Sequence, residues 1–143
     1  MAIGSDFTDL RIYQSAEALS KTVWDVVMRW DAFAKATVGE QLVRSIDSVG
    51  ANIAEAHGRF HYGDRLRFLY YARGSLYESR HWLRQAYRRQ LLNADEVKGI
   101  QEELNSMPVA LNNFINSIKS QKNDSSLREE DETYETGFNL SIS

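Results

Sequence analysis

Apolar side chains recur at alternating steps of three and four in four separate stretches of this chain, the spacing of a helix that buries one stripe. The first stretch carries Ile12, Ala16, Leu19, Val23, Val26 and Trp30, behind an Asp6 or Thr8 able to cap it. The second carries Leu42, Ile46, Val49, Ile53 and Ala56 and stops where Gly58 follows His57, a usual place for a left-handed cap. The third starts near Asp64 and sets Leu69, Ala72, Leu76, Ser79, Leu83 and Ala86 on one line. The fourth opens on Asn93, Ala94, Asp95 and Glu96, a cap with acids in the first turn. It continues through Val97, Ile100, Leu104, Met107, Leu111, Phe114 and Ile118. Because that spacing runs unbroken across Pro108, it predicts one kinked helix rather than two.

The connections at 59–63 and 91–93 are short and make their flanking helices antiparallel neighbours, whereas 31–37 reads as a looser link. The predicted fold is all-α: an up-down-up-down antiparallel four-helix bundle over residues 1–122 with an acidic C-terminal tail. Over 123–143 the helical period is lost and acids accumulate, which predicts a solvated tail, disordered or loosely docked. Tyr134, Phe138, Leu140 and Ile142 alternate there, leaving open the addition of a strand to a partner.

Composition narrows the class. The chain has 143 residues, 43% hydrophobic and 26% charged with a single proline, which fits one globular domain of long helices. It has no cysteine, excluding a disulfide scaffold, a thiolate nucleophile and a Cys-ligated metal, and this fits a reducing cytoplasm. The N-terminus lacks a signal-peptide pattern and no apolar run approaches ~18 residues, so the expectation is a cytoplasmic protein outside the membrane.

Charge is distributed unevenly. Residues 1–122 hold 16 Lys+Arg against 14 Asp+Glu, while 123–143 hold one Arg against six acids. Residues 59–89 hold eight arginines, no lysine, and only Asp64 and Glu78 as acids. At about 100° per residue, Arg73, Arg80, Arg84 and Arg88 fall in one sector beside the apolar line of the third helix, with Tyr70 and Tyr77, and His81 lies just beyond. From Arg73 to Arg88 the stripe spans roughly 22 Å, enough to meet several phosphates in succession. Guanidinium forks suit phosphate oxygens and tyrosines stack on unpaired bases, so Arg73, Tyr77, Arg80, His81, Arg84 and Arg88 form a candidate surface for RNA or DNA. The competing reading is a solvated or subunit-facing stripe whose arginine stems cover apolar surface.

Trp24 and Val27 on the first helix, and Phe68, Tyr70 and Trp82 on the third, exceed what one stripe buries, which suggests self-association. Small residues around Gly50, Ala51 and Ala54, matched by Gly74 and Ser75, predict a tight crossing of the second and third helices. There Asn52, Glu55 and Arg59 form a structural hydrogen-bond network, or alternatively a polar ligand site. His57, His61 and His81 show no metal-ligand spacing, and glycine-rich phosphate loops and aligned nucleophile–base pairs are absent. The expectation is a non-enzymatic protein with no metal and no cofactor.

Three ordered blocks carry a family resemblance. Phe7, Asp9, Leu10, Tyr13, Gln14 and Ala16 come first, Ser48, Asn52, Ile53, Ala54, Glu55 and Arg59 second, and Phe68, Leu69, Ala72, Gly74, Ser75, Leu76 and Glu78 third. In these the sequence resembles the bacterial four-helix bundle proteins encoded in intervening sequences of 23S ribosomal RNA genes, over about residues 7–120. Ala56 stands where that family usually has glycine, and a proline often found just before the second block is missing. The resemblance implies a ring-like homopentamer, as in the related accessory protein of diversity-generating retroelements, a nucleic-acid-binding partner of a reverse transcriptase. It implies no catalytic residue. The partners expected are therefore further copies of the chain, RNA or DNA, or a partner protein docked on the ring.

Overall fold

The structure, a computed structural model, describes the backbone of residues 6–136 and side chains through residue 125. Among the described residues every regular element is helical. A 3-10 turn, Phe7–Asp9, is capped by the Asp6 carboxylate, which accepts from the Phe7 N–H at 2.8 Å. Helix α1 (Arg11–Val27) follows, then a one-turn helix α2 (Ala32–Ala34), a π-helical turn (Lys35–Gly39) and helix α3 (Glu40–Gly58). Helix α4 (Tyr62–Arg88) and helix α5 (Ala94–Thr136) complete the chain.

The neighbours are antiparallel, because their contacts run in opposite order along the two partners. Tyr13 meets Gly50 and Ser20 bonds Ile46 between α1 and α3. Ser48 meets Ser75 and Ser45 meets Ser79 between α3 and α4. Tyr70 lies under Lys119 and Arg73 bonds Asn112 between α4 and α5. Arg29 pairs with Glu96, and Thr22 reaches Glu103, between α1 and α5. Each helix thus has two neighbours around a shared core of Leu19, Val23, Ile46, Ile53, Leu69, Leu76, Met107 and Leu111. The predicted lines of the first three helices all lie in that core.

Several local expectations change. The loose link at 31–37 is helical: the Asp31 carboxylate accepts from the Ala34 N–H at 2.9 Å and starts a turn that runs through the π segment into α3. Gly39 ends the π segment because a Cβ there would stand 2.7 Å from Val27 Cγ1 and 3.2 Å from the Ala34 carbonyl oxygen. Val27 is accordingly buried in the core rather than lying on a spare face. On α5 the buried residue after Leu111 is Ile115, not Phe114, which is half-buried, as is Val97. Leu10, Leu66 and Leu92 join the core from outside the regular lines. Helix α4 starts at Tyr62, two residues before Asp64, whose carboxylate instead takes a hydrogen bond from Arg67 at 3.3 Å.

Helix α5 passes Pro108 without interruption. It also runs beyond Lys122 to Thr136, where the loss of apolar period predicts none. Glu and Arg dominate 128–132 and are good helix formers, so local backbone propensity favours the helix there although the apolar period has been lost. Of the proposed alternating segment, Tyr134 is in this helix, and Phe138, Leu140 and Ile142 lie outside the described residues.

Candidate nucleic-acid interface

The two flanks of α4 meet different neighbours. On the α3 side, Ser79 is fully buried, with its hydroxyl 3.1 Å from Ser45 Oγ and 2.8 Å from the Ser75 carbonyl, to which it can donate. One turn away Ser75 Oγ lies 2.9 Å from Ser48 Oγ, and the Asn52 amide donates to the Ser48 carbonyl and hydroxyl at 2.8 and 3.0 Å. At the corner beyond, Arg59 pairs with Glu55 and sets its guanidinium 4.6 Å from the Phe68 ring centroid. Arg65 Nε donates to the Arg59 carbonyl at 2.7 Å. The serines and Asn52 thus bond one another at the α3–α4 crossing, while Glu55 and Arg59 form a separate, exposed i,i+4 pair at the end of α3.

Gly74 does not belong to that crossing. It is exposed, and nothing lies within 4 Å of the place a Cβ would take, so its missing side chain opens no contact in this chain. Gly50 does not thin that crossing either: it faces α1, where a Cβ at its position would stand 3.6 and 3.7 Å from Tyr13 and Ala16.

The α5 flank of α4 carries the arginine stripe. Arg80, Arg84 and Arg88 are exposed. Among the described residues none of the three pairs with an acid. Arg73 differs from them: it is half-buried, donates to Asn112 Oδ1 at 3.2 Å and stands 4.9 Å from the Tyr70 ring centroid. Its first task is to tie α4 to α5. Lys119 approaches the same ring at 5.6 Å, so Tyr70 is a packing ring between two cations rather than an open stacking surface. Tyr77 is 52% exposed, with the Arg80 guanidinium 5.7 Å from its centroid. His81 is exposed and packs edge-on to Trp82 at 4.8 Å. Glu78, one of the two acids in this stretch, accepts from the Trp82 indole N–H at 3.3 Å.

Sequence reasoning confined to one helix missed the opposite wall. About 100° round α5 from its buried line lie Gln101, Asn105, Asn112 and Lys119, all on the flank that meets α4. Glu96 and Glu103 lie on the other flank, against Arg29, in the turn after α1, and Thr22 of α1. The α4–α5 groove is therefore walled by cations, amides and tyrosines. It opens into two cavities. One, of about 730 Å³, lies beside Arg67, Tyr71, Lys119 and Lys122; the other, of about 750 Å³, lies beside Tyr77, Arg80, Arg84 and Asn105. Projecting α5 on its own wheel would have shown the amide and cation file.

Among the described residues no group of three His, Cys, Asp or Glu could hold a metal, and no helix is long and apolar enough to cross a membrane. Comparison with known proteins then bears on the fold. A family model described as "23S rRNA-intervening sequence protein" matches residues 8–113. The chain belongs to that family. A crystal structure of a protein of unknown function from the S23 ribosomal protein family of Bacteroides thetaiotaomicron is similar at a TM-score of 0.65 and 19% identity, covering 73% of this chain and 97% of the other. That likeness concerns the fold. Among curated proteins none matches. The match to the family covers all of α1, α3 and α4 and the first half of α5, so both walls of the groove lie within it or continue directly from it.

Proposed function

We propose that this family member is a non-enzymatic, homo-oligomeric bundle that binds RNA or DNA phosphates through the arginines on the α5 side of α4. The observation that carries this is the file of Arg80, Arg84 and Arg88, exposed and without acid partners among the described residues, facing an α5 flank without carboxylates. Guanidinium groups left free of carboxylates keep their forks for phosphate oxygens. Arg73 contributes charge but is already engaged by Asn112. Assembly into a ring of copies, five in the pattern the family resemblance implies, would repeat the file around a circle. The exposed Trp24 on α1 and Met28 at its C-terminal cap, one turn apart, give such an assembly apolar surface to bury.

Binding of this kind is salt-dependent and indifferent to sequence. Replacing Arg80 and Arg84 together by Ala is expected to weaken binding of every oligonucleotide tested by about tenfold or more and to flatten the dependence of log affinity on log salt by about two units. Fluorescence anisotropy over a salt series measures both. Wild-type affinity in the double variant would remove the assignment.

A second reading is a ring that docks a partner protein. Phe60, 87% exposed at the α3–α4 corner beside His61, supports it by giving a protein partner an aromatic anchor. Replacing Phe60 by Ser leaves phosphate binding untouched on the first reading.

A further inference from the structure

Phosphate contact alone leaves half of the α4–α5 groove unused. The cavity of about 750 Å³ is lined by exposed Arg80, His81 and Arg84 and also by Leu83, Leu92, Ile100 and Leu104, whose burial places them as its floor. Polar groups on the walls come from both helices: Gln101 and Asn105 on α5, and Arg80, His81 and Arg84 on α4. Tyr77 and Tyr87 also line it, 52% and 59% exposed, ten residues apart on α4 and hence about 15 Å along its axis. A half-open cleft of this size, with an apolar floor and a few polar groups, is concave enough to seat one small planar group, which a flat electrostatic track is not.

We propose that this cleft takes an unpaired nucleotide, with the base on the apolar floor against Tyr77 or Tyr87 and the phosphate on Arg80 and Arg84. This rests on the phosphate-binding reading and adds the substrate class to it. Three features select an unpaired base. A duplex hides its base faces in its own stack, so it presents nothing apolar to a concave leucine and isoleucine floor. Gln101 and Asn105 each offer a donor and an acceptor, the pair of functions a base edge needs and a phosphate does not. The tyrosine rings give every base a stacking face without selecting among bases. Arg80 already lies over the Tyr77 ring, so the cation that meets the phosphate is held beside the ring that meets the base. A free nucleoside monophosphate and a nucleotide within a single strand share this chemistry.

The test uses the full chain, fluorescein-labelled dT12, a labelled 12-base-pair duplex, and unlabelled UMP as competitor, over a salt series. Wild type is expected to bind dT12 at least tenfold more tightly than the duplex. The Tyr77→Ala/Tyr87→Ala double variant is expected to lose about tenfold or more for dT12, the loss of stacked bases, and under twofold for the duplex, with an unchanged salt slope. Asn105→Ala reports the base edge separately, with a smaller loss for dT12 alone. Thermal unfolding of both variants checks that the fold persists, as expected for rings more than half exposed. Displacement of dT12 by UMP identifies a site for free nucleotides; displacement only by unlabelled strand identifies a strand site, and both support the cleft. Equal binding of duplex and dT12, or tyrosine variants that bind dT12 like wild type, overturns the cleft. If the Arg80→Ala/Arg84→Ala variant still loses binding in that case, phosphate recognition stands without it. Absence of binding to either oligonucleotide overturns both.

Discussion

Helix α4 has one flank built for closeness and another built for width. Toward α3 it presents Ser75 and Ser79, whose hydroxyls meet Ser48 and Ser45 at 2.9 and 3.1 Å. Toward α5 it presents Arg73, Tyr77, Arg80 and Arg84, and there the helices leave a groove with cavities at both ends. Side chain length explains the difference: two serines facing each other let backbones approach, while arginines and tyrosines hold them apart and turn outward along the gap. The 3.6-residue period puts both sets on one helix, separated by the apolar line. A close seam satisfies its polar groups internally and so carries stability, while a wide one leaves them free for a ligand.

The largest effect expected from breaking this contrast lies on the close side. Ser79 is 0% exposed, so Ser79→Leu forces extra volume into a packed seam and removes a hydroxyl from the Ser45–Ser75 relay. A loss of about 1–3 kcal/mol in urea unfolding is expected. Arg80→Leu, one residue along, changes the exposed flank and should fall within about 0.5 kcal/mol of wild type. Equal costs at the two positions would mean that the flanks are not packed differently.

Much of this was legible in the sequence, for reasons that differ by element. The buried lines of α1, α3 and α4 follow from period alone, because each contributes one stripe to one core. Helix α5 is harder: after Pro108 both Phe114 and Ile115 are apolar, and spacing alone does not say which turns inward. The structure buries the branched Ile115 and leaves the ring of Phe114 half out. The π-helical turn was invisible because the two large apolar residues of Ala32–Gly39, Phe33 and Val38, are five apart and fit no 3/4 line; the close approach of Gly39 to Val27 shows only in the structure. The arginine file was readable on its own helix. Its meaning depends on the facing wall, and one helix's pattern says nothing of what stands across from it.

Helix α5 repeats the contrast with charge in place of size. Its α1 flank begins with Glu96, which accepts from the Asn93 N–H at 3.0 Å while Asn93 Oδ1 accepts from the Glu96 N–H at 2.8 Å, and which pairs with Arg29 at 2.8 Å. The Asn93 backbone N–H first, and then the Arg29 guanidinium, hold the Glu96 carboxyl below the usual glutamate value of 4.5, against an opposing effect of burial. A folded-state value below the unfolded one means stability that is present above about pH 4.5 and is lost as pH falls through the folded-state value. Glu96→Ala should cost about 1 kcal/mol at pH 7, the worth of a helix cap, and the gap from wild type should narrow in acid. Asn105→Ala on the α4 flank should cost less and show no such narrowing. A gap that stays constant down to low pH would assign the loss to packing instead of charge.

The smallest effect concerns the helix that both flanks share. Gly74 is exposed in the middle of α4, with open space where its Cβ would be. Glycine in a helix interior costs roughly 0.5–1 kcal/mol relative to alanine, so Gly74→Ala should stabilise the isolated chain by about that amount. Gly39→Ala is the matched control, since its Cβ meets Val27 and the Ala34 carbonyl and must destabilise. If Gly74→Ala instead lowers the thermal midpoint, and does so more at high protein concentration, a second copy approaches α4 there more closely than a methyl group allows. Concentration dependence separates the two causes, because helix propensity acts within one chain and a lost subunit contact follows mass action.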